Sequence, residues 1–178
     1  MPALSKVPPA RGVNLAEYSP MTRRIQVRRS PIHGNGVFAA CELAAESRVI
    51  EYRGQRLSHA DADEQYEGNA ETGHTFLFTL NEDFVIDANQ GGNAARWINH
   101  SCAPNCQAFL IEHKGGEKHK DRVIIETMRR IRPGEELSYN YAITLAERHT
   151  PRLKKKWECR CGAKRCTGTM LASKLKPR

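Results

Sequence analysis

The sequence predicts a mainly β fold with few short helices. Short apolar stretches recur between turn signals, several of them alternate with polar residues, and only two segments suggest a helix. The sequence contains no internal repeat. A length of 178 residues suits one domain with a proper core and short appendages.

Each predicted strand rests on apolar content or on alternation with polar residues. Residues 1–23 are Pro-rich and aperiodic, so we expect a flexible N-terminal arm. The predicted strands cover residues 25–27, 37–40, 49–52, 75–80, 84–86, 109–111, 123–125 and 137–141. Short helices are predicted over residues 61–67, with Ser58 as the cap, and over residues 93–98.

Turn signals separate these strands. Gly34-Asn35-Gly36 predicts a tight turn, and glycine also lets the backbone approach another group closely because it has no side chain. Residues 81–83 predict a hairpin turn, and the polar residues 113–121 predict a long hairpin loop. The chain therefore reads as a succession of short antiparallel pairs.

The charge of the chain is unevenly distributed. The net charge is +8, yet residues 147–178 alone hold eleven Lys or Arg and two acidic residues, while residues 42–87 hold eleven acidic and three basic residues. A basic tail suits DNA, RNA or an acidic cofactor, and an acidic middle suits a basic peptide. Solvated surface is the alternative explanation for both.

Residues 96–106 carry an unusual concentration of reactive side chains. Asn99, His100, Cys102 and Cys106 lie within eight residues, and Pro104 stiffens the turn between the thiols. Asn, His and Cys are poor helix formers and common in turns and sites. This stretch is therefore predicted to belong to a functional site, and a core histidine satisfied by backbone is the alternative for His100.

Three cysteines form a C-x-C-x4-C run near the end of the sequence, at Cys159, Cys161 and Cys166. Thiolates this close indicate a tetrahedral Zn²⁺ site, which requires a fourth ligand. The candidates for that ligand are Cys41, Cys102 and Cys106. Cys41 ends an apolar strand and is expected to be a buried free thiol, whereas the other two lie in a turn-rich stretch. Fifteen residues bury little core, so zinc is predicted to fold this tail.

Four motifs in this order resemble those of the SET-domain protein-lysine N-methyltransferases with a post-SET zinc motif. They are Gly34-Asn35-Gly36, residues 99–105 with the sequence NHSCAPN, residues 136–141 with the sequence ELSYNY, and the C-x-C-x4-C run. The resemblance extends from about residue 24 to about residue 171. Residues 1–23 contain no cysteine, so the resemblance is to a minimal architecture without a pre-SET module.

The resemblance implies a SET-domain fold of small β-sheets with a C-terminal pseudoknot, in which the chain after residue 137 threads beneath residues 99–102. It also implies a small zinc-bound post-SET tail. The implied divisions are an arm over 1–23, a SET domain over 24–146, a basic linker over 147–156, the post-SET zinc motif over 157–173 and a basic tail over 174–178.

The resemblance also implies a role for each matching residue. Tyr141 matches the active-site tyrosine, Tyr139 matches a catalytic and channel-lining tyrosine, and Tyr52 matches another wall of the lysine channel. Without the motifs, all three would be read as core aromatics. The residues implied to bind S-adenosylmethionine are His33, Gly34, Asn35, Gly36, Arg96, Asn99 and His100. The implied zinc ligands are Cys102, Cys159, Cys161 and Cys166, which leaves Cys106 outside the site.

The implied activity is methylation of a lysine in a basic protein segment such as a histone tail. A tyrosine at position 139 implies mainly monomethylation, with dimethylation as the lesser product. The alternative is a catalytically silent SET-like module that binds nucleic acid through residues 147–178. No apolar run is long enough to cross a bilayer and no secretory leader is evident, which predicts a cytoplasmic or nuclear, chromatin-associated protein, with leaderless export as the alternative.

Overall fold

The computed structural model describes residues 3–4, 24–66, 76–145 and 147–173. Within them the strands are β1 (Ala3–Leu4), β2 (Ile25–Arg29), β3 (Asn35–Ala39), β4 (Arg48–Tyr52), β5 (Gln55–Ser58), β6 (Leu77–Thr79), β7 (Phe84–Asp87), β8 (Asn99–His100), β9 (Cys106–Ile111), β10 (Arg122–Thr127), β11 (Glu136–Tyr139) and β12 (Ile143–Thr144). The helices are α1 (His59–Gln65), α2 (Pro151–Lys156) and the 3₁₀ turns Ala94–Trp97 and Lys118–Lys120. The prediction of a mainly β fold with few short helices is confirmed.

The strands form four small sheets. Their orders are β1-β12, β4-β10-β9, β2-β3-β11-β8 and β5-β7-β6. Every pairing is antiparallel except that of β11 with β8. Antiparallel neighbours joined by short turns are what the predicted hairpins require.

The core lies where these sheets meet. β3, β10 and β11 are buried along most of their length, because other elements cover both of their faces. Val37, Ile125 and Leu137 are completely inaccessible to solvent. β2 differs, since Val27 is 42% exposed, and the alternation that predicted a half-buried strand there does not correspond to burial of Val27.

β11 lies beside residues 99–105, as the predicted pseudoknot requires. Ser138 and Tyr139 pair in parallel with Asn99 and His100. The buried side chain of Asn105 then holds β11 from the other end of the loop. Its Nδ2 donates to the Glu136 carbonyl at 2.8 Å, and its Oδ1 accepts from the Ser138 N–H at 2.9 Å. Both ends of the segment 99–105 therefore form hydrogen bonds with β11, and we call these contacts the clasp around β11.

The C-terminal tail folds back onto β12. The Ile143 N–H donates to the Met170 carbonyl at 3.1 Å, and the Ala172 N–H donates to the Ile143 carbonyl at 2.8 Å. Ile143, Trp157 and Leu171 form a small apolar cluster of their own. The tail is thus fixed beside the strand that follows residue 141.

The helices differ from their predicted bounds. α1 begins at His59, two residues earlier than predicted, because Ser58 is the cap and its Oγ accepts from the Asp61 N–H at 3.1 Å. The predicted helix over residues 93–98 is the 3₁₀ turn Ala94–Trp97. The segment 147–156, predicted as a linker, contains α2, which starts at a proline suited to a first helical position.

Four predictions fall partly or wholly outside the described residues. They are residue 67 of the first helix, residue 75 of the strand over 75–80, most of the arm over 1–23, and the basic tail over 174–178. No helix in the described ranges is long and apolar enough to cross a membrane.

Candidate active site

One cavity of about 300 Å³ brings together most of the residues singled out in the sequence. Its volume is at the lower end of the range for small-molecule sites. The lining residues that had been predicted as site residues are His33, Gly34, Asn35, Tyr52, Arg96, Asn99, His100, Tyr139, Tyr141 and Cys159. Lining residues that were not among the predicted site residues include Ile32, Phe76, Leu77, Trp97, Ile143, Trp157 and Met170.

Three tyrosines form one wall of this cavity, and we call Tyr52, Tyr139 and Tyr141 the cavity tyrosines. Tyr52 ends β4 and Tyr139 ends β11, with Tyr141 two residues further on. The Tyr139 and Tyr141 ring centroids lie 4.8 Å apart, and Phe78 packs against both Tyr52 and Tyr139. The wall depends on two strands from different sheets, which the motifs alone do not specify.

The hydroxyl groups of the cavity tyrosines differ in their partners. Tyr141 donates to the Ile98 carbonyl at 2.7 Å, and Tyr52 donates to the Phe76 carbonyl at 3.0 Å. Among the described residues, nothing forms a hydrogen bond with the Tyr139 hydroxyl. The backbone therefore fixes the hydroxyls of Tyr52 and Tyr141. The Tyr139 hydroxyl, which has no partner among the described residues, can form a hydrogen bond with a bound group.

Burial keeps the cavity tyrosines neutral. Desolvation raises the pKa of each phenol above its ordinary value of about 10. A neutral phenol both donates and accepts a hydrogen bond. The wall can therefore orient an amine without itself carrying charge.

The turn at residues 30–36 forms a second side of the cavity and is held by Asn99. The Asn99 Nδ2 donates to the Asn35 carbonyl at 3.0 Å and to the Glu136 carboxylate at 2.9 Å. Ser30 Oγ donates to the same carboxylate oxygen at 2.7 Å. Glu136 was not singled out by the sequence as a site residue, because its partners lie 37 and 106 residues away.

Glycine is required at one position of this turn. Gly36 does not line the cavity, and a Cβ there would lie 2.2 Å from Glu136 Oε1. Gly34 has φ +48° with no atom near a Cβ position, so its backbone conformation is what favours glycine. The two glycines thus act on the turn in different ways.

Arg96 occupies an aromatic corner of the cavity. Its guanidinium lies 4.5 Å from the Trp97 ring centroid and 5.2 Å from that of Phe76, and it donates to the Ala88 carbonyl at 2.9 Å. Phe76 and Trp97 meet edge to face at 5.0 Å. A fixed cation beside apolar rings suits a ligand with both a carboxylate and an aromatic base.

His100 joins the tyrosine wall to the cysteine cluster. Its Nδ1 accepts from the Tyr141 N–H at 3.1 Å, so the proton of the neutral ring lies on Nε2, 3.5 Å from Cys102 Sγ. Burial lowers the pKa of His100 to about 4, which keeps the ring neutral. Both ring nitrogens face protein atoms, so a cofactor would meet the backbone or the ring edge of His100.

The four predicted zinc ligands converge. The sulfur atoms of Cys102, Cys159, Cys161 and Cys166 all lie within 4.8 Å of one another. Cys102 Sγ lies 3.7 Å from Cys159 Sγ and 3.8 Å from Cys166 Sγ. Tetrahedral Zn²⁺ with Zn–S bonds of about 2.3 Å requires sulfur separations of about 3.8 Å, so the cluster fits zinc.

The cysteines outside the cluster are apart from it. Cys106 lies in β9 and is buried, and desolvation raises the pKa of its thiol to about 12. Cys41 is a free thiol that packs against the core, but it is partly exposed rather than buried as predicted. Cys106 was a candidate ligand because it lies in a turn-rich stretch of the sequence, whereas its position in β9 places it in the core.

The charge around the cavity differs from the distribution along the sequence. Among the described residues of 42–87, Tyr52, Phe76 and Leu77 line the cavity and no carboxylate does. α2 and the residues after it contribute lysines and Arg160, with Glu158 as the acidic lining residue. Glu158 pairs with Lys155 at 2.8 Å and with Arg160 at 2.9 Å. The described acidic residues of 42–87 therefore do not line this cavity.

Comparison with known proteins agrees with this geometry. The family described as SET domain matches residues 34–142. The chain is 40% identical over 145 residues to Histone-lysine N-methyltransferase 2B of Homo sapiens and 39% identical over 144 residues to Histone-lysine N-methyltransferase trithorax of Drosophila virilis. It is 36% identical over 142 residues to Histone-lysine N-methyltransferase, H3 lysine-4 specific, of Candida albicans.

These matches cover most of this chain and little of the relatives. They include 80%, 80% and 79% of the chain, and 5%, 3% and 13% of the respective relatives. The chain therefore spans only a small part of each of these relatives.

Proposed function

The chain belongs to the SET-domain family, and on that premise we propose that it is an S-adenosylmethionine-dependent protein-lysine N-methyltransferase. The observation that carries the proposal is the wall of neutral cavity tyrosines facing a turn and a cation suited to the cofactor. The relatives are named histone-lysine N-methyltransferases. We accordingly propose a lysine in a basic protein segment, such as a histone tail, as the substrate.

We assign the cofactor to the corner formed by the turn at His33–Asn35, Arg96 and the rings of Phe76 and Trp97. The backbone of the turn offers polar groups, Arg96 offers a cation for a carboxylate, and the rings offer an apolar surface. When bound, S-adenosylmethionine supplies a methyl group on a positively charged sulfur. Asn99 and Glu136 hold the turn in place for it.

The protein prepares the substrate amine by desolvation. A free lysine has a pKa of about 10.4, so only about one in a thousand is neutral at pH 7. Entry into a cavity walled by buried phenols disfavours the ammonium form, and the released proton leaves to water. The Tyr139 hydroxyl, with no described protein partner, orients the amine lone pair, while Tyr141 and Tyr52 keep the channel narrow.

Tyr139 also supports mainly monomethylation. Its hydroxyl occupies the space that an added methyl group would need and can hold a water molecule there. Replacing Tyr139 with Phe removes both effects, so the variant should shift the product towards dimethylation and trimethylation. Product masses on a lysine peptide measure this shift, and an unchanged distribution contradicts the role of Tyr139.

We propose that Zn²⁺ bound by the four-cysteine cluster fixes the tail over the cavity. Trp157, Cys159 and Met170 line the cavity, and Cys102 follows the His100 that contacts Tyr141. The corresponding units are the SET domain over residues 24–146 and the post-SET motif over 157–173. Because α2 contributes Lys155 and Lys156 to the lining, the segment 147–156 is more than a linker.

Nucleic-acid contact through residues 147–178 stays a prediction. α2 carries exposed basic side chains, which is compatible with such contact and equally with binding an acidic group of the cofactor. We propose chromatin as the site of action, consistent with the names of the relatives, and a cytoplasmic protein substrate as the alternative.

The decisive experiment follows methyl transfer from labelled cofactor to a histone mixture. The zinc-loaded chain should label lysines, Tyr141→Phe should lose most of the label, and Tyr66→Phe should retain it. Tyr66 is the matched control because its hydroxyl bonds to Asp87 and it does not line the cavity. Absence of label with DNA binding intact would favour the catalytically silent alternative.

A further inference from the structure

β12 has a partner on each of its two edges. On one edge, the backbone N–H and C=O of Ile143 form hydrogen bonds with the C-terminal tail. The backbone groups of successive strand residues point to opposite edges, so those of Thr144 face the other edge. β1 lies along that second edge, with Ala3 opposite Thr144 and Leu4 opposite Ile143. The pairing of β1 with β12 therefore uses the backbone groups of Ala3 and Thr144.

β1 lies against two strands that line the cavity. β12 begins two residues after Tyr141, and its Ile143 is a lining residue. β1 also contacts β6, the end strand of the β5-β7-β6 sheet, whose Leu77 is a lining residue too. The N-terminal strand is therefore placed between two elements of the cavity wall that belong to different sheets.

The same edge of β12 is suited to an extended substrate segment. A lysine side chain that reaches the cavity tyrosines must bring its own backbone close to the strands around them. Strand edges bind extended segments through main-chain hydrogen bonds, and β12 is the strand that follows Tyr141. Because β1 already pairs with this edge, a substrate segment can use it only after β1 has left.

We propose that β1 is an intramolecular competitor, which occupies the edge of β12 that a protein substrate needs and thereby restrains the enzyme. This inference rests on the proposed methyltransferase function and names a regulation of the same site. The competing group is the backbone of residues 3–4, which pairs with β12. The competition is non-covalent, so β1 and the substrate exchange reversibly on β12.

The pairing is short enough to be displaced. β1 and β12 contain two residues each. Water competes for the same backbone groups, so each hydrogen bond contributes only modestly, and an isolated pair of strands is marginally stable at best. Tethering nevertheless gives β1 a high effective concentration beside β12. We therefore expect β1 to be docked in most molecules and to be displaced by a high concentration of substrate.

Docking of β1 should raise the KM for a protein substrate and leave kcat unchanged. When only a fraction of the molecules can bind a ligand, the apparent dissociation constant rises by the inverse of that fraction. An edge that is free in about one molecule in ten therefore raises KM about tenfold. Saturating substrate displaces β1, so the rate of methyl transfer in the complex stays the same.

The test compares Ala3→Pro with Ala3→Ser in the full, zinc-loaded chain. Proline lacks the N–H with which residue 3 pairs with Thr144, whereas serine keeps it. With a histone-tail peptide as substrate, Ala3→Pro should lower KM by about threefold to tenfold and change kcat by less than about twofold. Ala3→Ser should keep the wild-type KM. Hydrogen exchange gives a readout without turnover, because the Thr144 amide should exchange faster in Ala3→Pro than in the wild type.

The outcomes separate this inference from the proposed function. An unchanged KM in Ala3→Pro, with methyl transfer intact, overturns the inference alone. An unchanged exchange rate at Thr144 also overturns it, because β1 then does not protect that edge. A ratio of the two KM values that varies with protein concentration assigns the competition to a second chain and overturns the intramolecular proposal. Absence of methyl transfer in the wild type and in both variants overturns the proposed function together with this inference.

Discussion

Tyr139 and Tyr141 allow a matched test of the active-site geometry, because Tyr→Phe removes one hydroxyl from each. The Tyr141 hydroxyl donates to the carbonyl of Ile98, a residue that is 1% exposed. Its removal leaves that carbonyl without its partner. The Tyr139 hydroxyl has no described partner to leave behind.

The structure fixes the expected magnitudes. An unsatisfied buried acceptor costs about 1–3 kcal/mol, so Tyr141→Phe should lower the free energy of unfolding by that amount. For a chain of this length the cost corresponds to a Tm decrease of about 2–12 °C. Tyr139→Phe should change the free energy of unfolding by less than about 0.5 kcal/mol, since no partner is stranded.

The assay is urea denaturation of the zinc-loaded wild type and both variants at one pH, with product masses measured in parallel. Tyr141→Phe should lose stability and turnover together. Tyr139→Phe should keep its stability and change the degree of methylation. Equal losses of stability in the two variants would refute the assignment of the hydroxyl partners.

Three further predictions concern the turn, the metal and the pH. Gly36→Ala should lower the free energy of unfolding by about 1–3 kcal/mol, because the added Cβ overlaps Glu136. The same variant should bind the cofactor more weakly in calorimetry. The control is Gly116→Ala, where a Cβ meets no atom, and it should leave cofactor binding unchanged. Chelation should release one zinc per chain, measured by a colorimetric zinc indicator, and abolish turnover until zinc is restored; turnover that survives chelation would separate the tail from catalysis. The phenols of the cavity tyrosines have a pKa of about 10 in the unfolded chain and a higher pKa in the folded chain. Their contribution to the free energy of unfolding is therefore fully present below pH 10. It is lost as the pH rises above 10, by about 1.4 kcal/mol per pH unit for each phenol. Unfolding measurements between pH 9 and 11 should give a shallower slope for Tyr139→Phe, and an identical slope would contradict its burial.

The sequence was sufficient for the class of fold and for the cysteine cluster. Alternation and turn signals locate strands such as β6 and β7, because these signals act between near neighbours. β8 and β12 were not predicted, since two-residue strands carry no periodicity and exist through pairing with distant partners. α2 was predicted as a linker because its three consecutive lysines gave no apolar face.

Site residues could be predicted from the sequence only where they belong to a recognised motif. The cavity tyrosines and the turn at 33–35 were found through a resemblance, and the structure brings them to one cavity. Glu136 and Asn105 lay inside recognised motifs, yet their roles depend on groups about 30 to 100 residues away. Hydrogen-bond partners at such separations leave no local signal.

The clasp around β11 has a consequence for how the chain folds. Asn105 and His100 reach β11 and Tyr141 across more than 30 residues, so none of these contacts can form within a local segment. Loop-closure entropy must be lost before such contacts are gained, which predicts slow folding for a chain of this size. We expect residues 99–105 to separate from β11 early in unfolding, because they contact it on both sides of the loop. We therefore expect the wall of cavity tyrosines to form late in folding. Once formed, the contacts around β11 should slow the unfolding of the chain.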